Sequence, residues 1–128
     1  MEGLNGDMRK TQVILGNPPS KSNCYMIVKF GNKASLAKTT ALKQYEKDFF
    51  IQCGEYRNEN IEGYFEFYVK VFFKSQRSDL DNSLKCILDC LQTCKAIKND
   101  NKCVKIIAEK YLDKTNPRIE FELVQIKM

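Results

Sequence analysis

Histidine is absent from the 128 residues. Its absence removes imidazole general bases, Ser/His/Asp triads, Cys/His pairs and His-rich zinc sites together. Any catalysis must therefore use carboxylates, lysine, cysteine or a metal. Long apolar runs are lacking too: the densest, Val69 to Phe73, is interrupted by Lys70 and is far too short to cross a bilayer. Met1 to Gln12 mix acidic, basic, Gly and Asn positions with no apolar signal core, so a cytoplasmic location with no membrane partner is expected. No internal repeat, linker or low-complexity segment divides the chain. At this length one domain is expected, residues 13–128, preceded by a flexible N-terminus over residues 1–12.

Hydrophobic residues at 43% and charged residues at 29% are ordinary globular values. The six cysteines of an unexported chain are expected to be free thiols. A formal charge of +5 permits a polyanionic partner without identifying one.

Asn17-Pro18-Pro19-Ser20-Lys21-Ser22-Asn23 is a breaker cluster between the apolar Val13-Ile14-Leu15 and a strand expected over Cys24 to Phe30. From Ala34 to Cys53, Leu42, Tyr45, Phe49 and Cys53 recur at helical spacing and predict the first helix. Gly63 to Lys74 alternates, with Phe65, Phe67, Val69, Val71 and Phe73 on one face and Glu66, Lys70 and Lys74 on the other, as a strand does. Leu80, Leu84, Ile87, Leu88 and Leu91 return to helical spacing, and Ser78 with Asp81 resembles a capping box. A polar turn around Asn99-Asp100-Asn101 leads to two β-rich runs, Cys103 to Tyr111 and Arg118 to Ile126, joined by a turn over Asp113 to Pro117. The pattern predicts an α+β domain with a mixed or mostly antiparallel sheet and two main helices packed on one face.

The segment richest in chemistry is Ser78-Asp79-Leu80-Asp81-Asn82-Ser83-Leu84-Lys85. Inside a helix two residues separated by one other would point roughly 200° apart, but Asp79 at the cap and Asp81 in the first turn can converge. Lys85, four residues past Asp81, is expected above it on the same helical face. Asp100, in the turn after this helix, could bring a third carboxylate to the same end. Three aspartates suit a hard cation such as Mg²⁺, which keeps waters and leaves room for phosphate. Such a site hydrolyses phosphodiesters without histidine. The same residues also read as an ordinary helix cap and a surface Asp/Lys pair. A non-catalytic basic DNA-binding module and an interaction protein dimerising through the second helix therefore stay open.

The run Asp79-Leu80-Asp81-Asn82-Ser83-Leu84-Lys85, continuing to Leu88-Asp89, resembles the D-L-D-N-x-x-K-x-x-x-D signature of RusA-type Holliday junction resolvases. Asn99-Asp100-Asn101-Lys102-Cys103 is similar to the family's D-D-x-Q-V segment, Pro18-Pro19-Ser20-Lys21-Ser22-Asn23 to its early P-P-S-x-N loop, and Glu109-Lys110 to its closing section. The resemblance implies a Mg²⁺-dependent homodimer, with Mn²⁺ as a substitute and no organic cofactor. It would nick four-way DNA junctions in pairs during recombination and repair, in a bacterial or phage setting. It assigns metal binding to Asp79, Asp81 and Asp100 and an assisting catalytic role to Lys85. Asn99 stands where the family has an acid, and Lys102 and Cys103 stand where it has Gln and Val.

Lys21, Lys74, Arg77 and Lys102 are the expected DNA contacts, with Lys29, Lys33, Lys38 and Lys70 as further candidates and Tyr68 and Phe72 sharing the polar strand face. Cys86, Cys90 and Cys94 recur every four residues. Thiols about 6 Å apart on a line do not wrap a tetrahedral ion, so packing is the expected role, as for Cys24, Cys53 and Cys103.

Overall fold

Alternation from Phe65 to Phe73 sets the centre of the fold, because every second side chain there is large, apolar and buried. The computed structural model describes residues 10–126. Its elements are β1 (Gln12–Leu15), β2 (Tyr25–Phe30), β3 (Lys33–Lys38), α1 (Thr40–Gln52), β4 (Phe65–Phe73), α2 (Leu80–Thr93), β5 (Cys103–Leu112) and β6 (Arg118–Gln125). The main sheet runs β1-β6-β4-β5, and β2 and β3 form a separate hairpin. β6 is antiparallel to both β1 and β4, whereas β5 runs parallel to β4. Parallel neighbours need a crossover connection, and α2 supplies it. The architecture is the expected α+β domain with a mixed sheet.

Phe67, Val69 and Val71 of β4 and Ile119, Phe121 and Leu123 of β6 meet the buried faces of both helices. Phe121 is the hub: its ring stacks on Phe49 of α1 at 5.9 Å and on Tyr56 at 5.6 Å, with Phe67 edge-on at 6.1 Å. Apolar burial of this density is the main stabilising contribution. The helix C-caps Cys53 and Cys94 also meet in this core, where their mutual hydrogen bond and burial push the Cys53 thiol up.

Three expectations change. The segment from Ala34 to Lys38 is strand, not helix: Gly31, at φ +62°, turns the chain so that β3 pairs with β2 from Phe30↔Lys33 to Tyr25↔Lys38. The helix starts only where the Thr39 hydroxyl accepts from the Leu42 N–H at 3.1 Å. Residues 1–9 of the expected flexible terminus lie outside the described residues, but Gln12 already belongs to β1 and is buried. Its side chain bonds the Gln52 carbonyl and the Glu55 N–H, both at 2.8 Å. The third change concerns the thiols, since Cys24 and Cys86 are joined as a disulfide in a small buried cluster with Leu42. The two are 62 residues apart, so only the folded packing brings them together. The other four cysteines are free, with Cys53, Cys90 and Cys94 buried.

Truncating the hub should cost about 3 to 5 kcal/mol, the usual range for a buried Phe→Ala change. Guanidinium unfolding of Phe121→Ala against wild type checks it, and a loss under about 1 kcal/mol would remove Phe121 from the centre of the core. Alkylation in denaturant without reductant should label four of the six cysteines and leave Cys24 and Cys86 unmodified. Labelling of all six would contradict the pairing.

Candidate active site

The loop leaving β4 places Asp79 at the N-cap of α2, in extended conformation at φ −97°, ψ 132°. Ser78 does not cap the helix. Asp79 makes no cap hydrogen bond either, and its Oδ2 accepts instead from the Asn82 amide at 3.1 Å. Asp81 follows in the first turn, exposed to solvent. The helix presents this acidic side because Ser83, Cys86, Ile87, Cys90 and Leu91 are buried on the other, which leaves Asp81, Lys85 and Gln92 outward.

At its far end α2 is tied down by the segment between α1 and β4. The Asn58 N–H donates to the Cys94 carbonyl at 3.1 Å, Asn60 to Lys95 at 2.8 Å and Ile61 to Ala96 at 3.0 Å. Lys95, at φ +62°, reverses the chain beyond the helix. The returning chain forms a single 3₁₀ turn, Asp100–Lys102, capped by the Asn99 side chain, which accepts from the Asn101 N–H. The Asp100 N–H donates to Gln92 Oε1 at 2.9 Å, which holds this turn against α2.

Lys85 therefore finds its partners downstream. Its ammonium donates to Asp100 Oδ2 at 2.8 Å and pairs with Asp89 Oδ1 at 3.2 Å. The expected neighbour was Asp81. Asp89 lies four residues on along the same face, and Asp100 adds a second carboxylate on that side, so two acids outcompete one. The hydrogen bond it donates to Asp100 raises the Lys85 pKa above its ordinary 10.5, with Asp89 adding to it and partial burial opposing. Asp89 also accepts from the Tyr25 hydroxyl at 3.0 Å, which joins the root of the hairpin to the cluster. Tyr25 carries no sequence signal, whereas the spacing of Asp89 from Lys85 offered one.

Among the described residues no three acidic or thiol side chains stand close enough to hold a metal ion. The expected gathering of Asp79, Asp81 and Asp100 is thus not present as a cluster. Asp81 lies a full eight positions before Asp89 on the helix, about 12 Å of rise, while Asp100 packs beside Lys85 and Gln92. The Asp79 and Asp81 pair alone still has the donor chemistry of Mg²⁺, which takes one or two carboxylates and keeps several waters.

The basic candidates divide. Lys74 and Arg77 are exposed just before Asp79, and the Lys74 N–H donates to Asn17 Oδ1 at 2.9 Å, which fastens the Pro18-Pro19 loop beside them. A cleft of about 670 Å³ runs between that loop, the hairpin and α1, lined in part by Lys74 and Tyr25. Lys102 lies over the Tyr64 ring at 4.9 Å, Lys38 is paired with Glu46 at 2.9 Å, and the side chain of Lys21 lies outside the described residues. Lys70 sits between Glu109 of β5 and Glu120 of β6 in the register of the sheet. Phe72 on that face is sandwiched by Tyr111, stacked at 4.9 Å, and the Arg118 guanidinium at 3.8 Å. Tyr68 donates to Glu66.

Acids and a lysine along one exposed helix, in a chain without histidine, are compatible with metal-assisted phosphodiester hydrolysis. The family of endodeoxyribonuclease RusA matches residues 16–124, most of the chain, and the protein belongs to that family. Membership makes it an endodeoxyribonuclease of the Holliday junction resolvase type, acting on branched DNA. A search of curated proteins found no match. No helix among the described residues is long and apolar enough to cross a membrane.

Replacing Lys85 with methionine leaves Asp89 and Asp100 without their shared cation. Because the lysine is largely exposed, the expected loss is at most about 1 kcal/mol, shrinking in high salt. The raised pKa sets the sign with pH: the advantage of lysine is full below pH 10.5 and is lost as pH climbs through the higher folded value. Urea titrations of both proteins at two salt concentrations and across that range check it, and an advantage that grew above pH 10.5 would refute the pairing.

Proposed function

We propose that the protein is a Mg²⁺-dependent, homodimeric Holliday junction resolvase that introduces paired nicks into four-way DNA during recombination and repair. Asp79 and Asp81 serve as its metal-binding carboxylates, Asp100, held on Lys85 in the free protein, joins them as the third ligand only once Lys85 is drawn away, and Lys85 assists the reaction. The observation that supports this most is the 2.8 Å contact between Lys85 and Asp100. It draws the downstream aspartate onto the helix that carries Asp79 and Asp81, although the two parts of the motif are separated by the rest of α2.

Each side chain has a physical task. Asp79 and Asp81, at the start of α2, offer exposed carboxylate oxygens, and Mn²⁺ has the same preference for oxygen ligands. When bound, the ion supplies an activated water and Lewis-acid stabilisation of charge on the phosphoryl oxygens. Lys85, in the free protein, is neutralised by Asp100 and Asp89. A backbone phosphate competes for the same ammonium, so the lysine can turn to the scissile group and stabilise the charge that develops there. Asp89, fixed by Tyr25, orients Lys85 from behind. Lys74 and Arg77 hold phosphates next to Asp79, and Lys102 holds one beside Asp100.

A non-catalytic DNA-binding module is the second reading, and the separation of Asp81 from Asp100 is what favours it. The two diverge in one assay. A labelled four-way junction and a matched linear duplex are incubated with Mg²⁺, Mn²⁺ or chelator, using wild type and Asp81→Asn. Paired nicks in the junction alone, dependent on the ion and lost by at least a hundredfold in Asp81→Asn with junction binding retained, are the expected result. Cutting that survives the substitution would displace Asp81 from the site. Salt-sensitive binding without product under either metal would leave the second reading.

A further inference from the structure

We propose that β5 is the dimer interface and pairs antiparallel with β5 of a second copy, about a two-fold axis through Ile107. The inference rests on the homodimer of the proposed function and names the surface that makes it.

The two edges of the main sheet differ. β1 is four residues long, short enough to offer little template for another strand. β5 has ten residues and no proline, and its only irregularity is the register shift at its start, beside Phe65. Among the described residues its far edge therefore presents a row of unpaired backbone donors and acceptors, the feature that recruits another strand. Val104, Ile106, Ile107 and Leu112 on it are each 43–44% exposed.

Charge then selects the partner and the register. On the open face of the sheet Lys105 lies beside Glu66 of β4, and Glu109 lies beside Lys70, which in turn lies beside Glu120 of β6. A two-fold axis at Ile107 sets Lys105 opposite Glu109 of the second copy, and Glu109 opposite its Lys105. The row across the joined sheets then reads Glu120, Lys70, Glu109, Lys105, Glu66, the last two from the second copy, alternating in sign at every step. Ile107 meets its own counterpart and Ile106 meets Ala108, so the centre of the pairing is apolar, while Val104 faces Lys110 nearer its ends. Moving the axis to Ile106 would set Lys105 against Ile107 and Cys103 against Glu109, and moving it to Ala108 would set Glu109 against Ile107 and Lys105 against Tyr111, so the unlike-charge pair is lost in both. Directly opposed unlike charges stabilise a strand pair and like charges weaken it, so the sequence favours this register over its neighbours. An isologous contact of this kind closes on itself as a dimer.

An axis normal to the sheet keeps both copies the same way up. Both α2 helices, with Lys85, Asp89 and Asp100, then lie on one side of an eight-stranded sheet. The two Cys103 positions, one turn beyond each Asp100, are displaced along the strands by roughly 26 Å at about 3.3 Å per residue. Two symmetric sites on one face are what paired nicking of a two-fold junction requires.

Sedimentation of the full-length protein over a concentration series, with Lys105→Glu, Glu109→Lys and an equimolar mixture of the two, tests the interface. Each variant alone opposes like charges twice, whereas the mixed dimer opposes unlike charges at both pairs. Expected are a wild-type dimer, self-association at least tenfold weaker in each variant, and recovery to near wild type in the mixture. Wild type that is a monomer, variants that dimerise like wild type, or a mixture no tighter than its parts would overturn the proposal. Circular dichroism verifies folding, and Lys105→Gln gives the same test with a smaller effect should either reversal unfold the chain. Junction nicking is read alongside. Paired nicks from a dimer indifferent to these substitutions overturn the interface and leave the resolvase standing, while a dimer that obeys them and never cuts overturns the resolvase reading instead.

Discussion

The arrangement of the acidic residues depends on the seam where α2 lies against β4. That seam is made of two periodicities meeting, every second residue of β4 and one face of α2, and each buries large apolar side chains that would otherwise stay in water. Once it forms, the helix has no rotational freedom left. Asp81 and Lys85 must point outward, Asp79 must sit where the loop from β4 enters the helix, and the chain must return at the level of Gln92 to start a parallel strand. Asp100 reaches Lys85 because of that return. The polar contact is specific in geometry but small in energy, and the apolar seam is large in energy and supplies the geometry.

Position along the helix follows from the same constraint. A parallel crossover must carry the chain back to the end of the sheet where β4 began, so a helix of this length separates the Asp79 end from the Asp100 end. Lys85 lies between them, and its long flexible stem is the one part of the motif able to bridge the gap. In the free protein it bridges toward Asp100, where two carboxylates and the 2.8 Å hydrogen bond hold it. This leaves Asp81 without a cation among the described residues, a carboxylate at a positively polarised helix end and open to solvent.

How much of this was legible in the sequence follows the range of the interactions involved. Strand β4, helix α2 and the terminal strands are written in local periodicity, and the structure keeps them with small changes at the ends. The hairpin strand β3 was not legible, since Ala34, Leu36 and Ala37 suit a helix as well as a strand and only pairing through the Gly31 turn decides. The Cys24–Cys86 disulfide and the Tyr25–Asp89 contact join residues distant in sequence, which no spacing rule reaches. Lys85 was found as a site candidate by motif, but its partner was misjudged, because helical spacing offers Asp81 and Asp89 equally and Asp100 breaks the tie only in the fold. On the polar strand face the neighbours of Lys70 and Phe72 were not legible either, since only the pairing of β5 and β6 with β4 places Glu109, Glu120, Tyr111 and Arg118 beside them.

The net charge of +5 is not spread evenly. On the open face, cations and carboxylates alternate across neighbouring strands, and Arg118 is held by Asp113 and Glu120, both at 2.9 Å. A face of that kind has little long-range field, since opposite charges a strand apart cancel well inside a Debye length of about 8 Å. The exposed Lys29 and Lys33 of the hairpin lie in a run with no acidic residue from 8 to 45, and Lys74 and Arg77 before α2 in one from 67 to 78. Their field is not cancelled locally, so it extends further and draws a polyanion to the hairpin and the entrance of α2. The surplus of positive charge therefore lies beside the carboxylates, where the proposed function places phosphates, while the open face is close to self-neutralised.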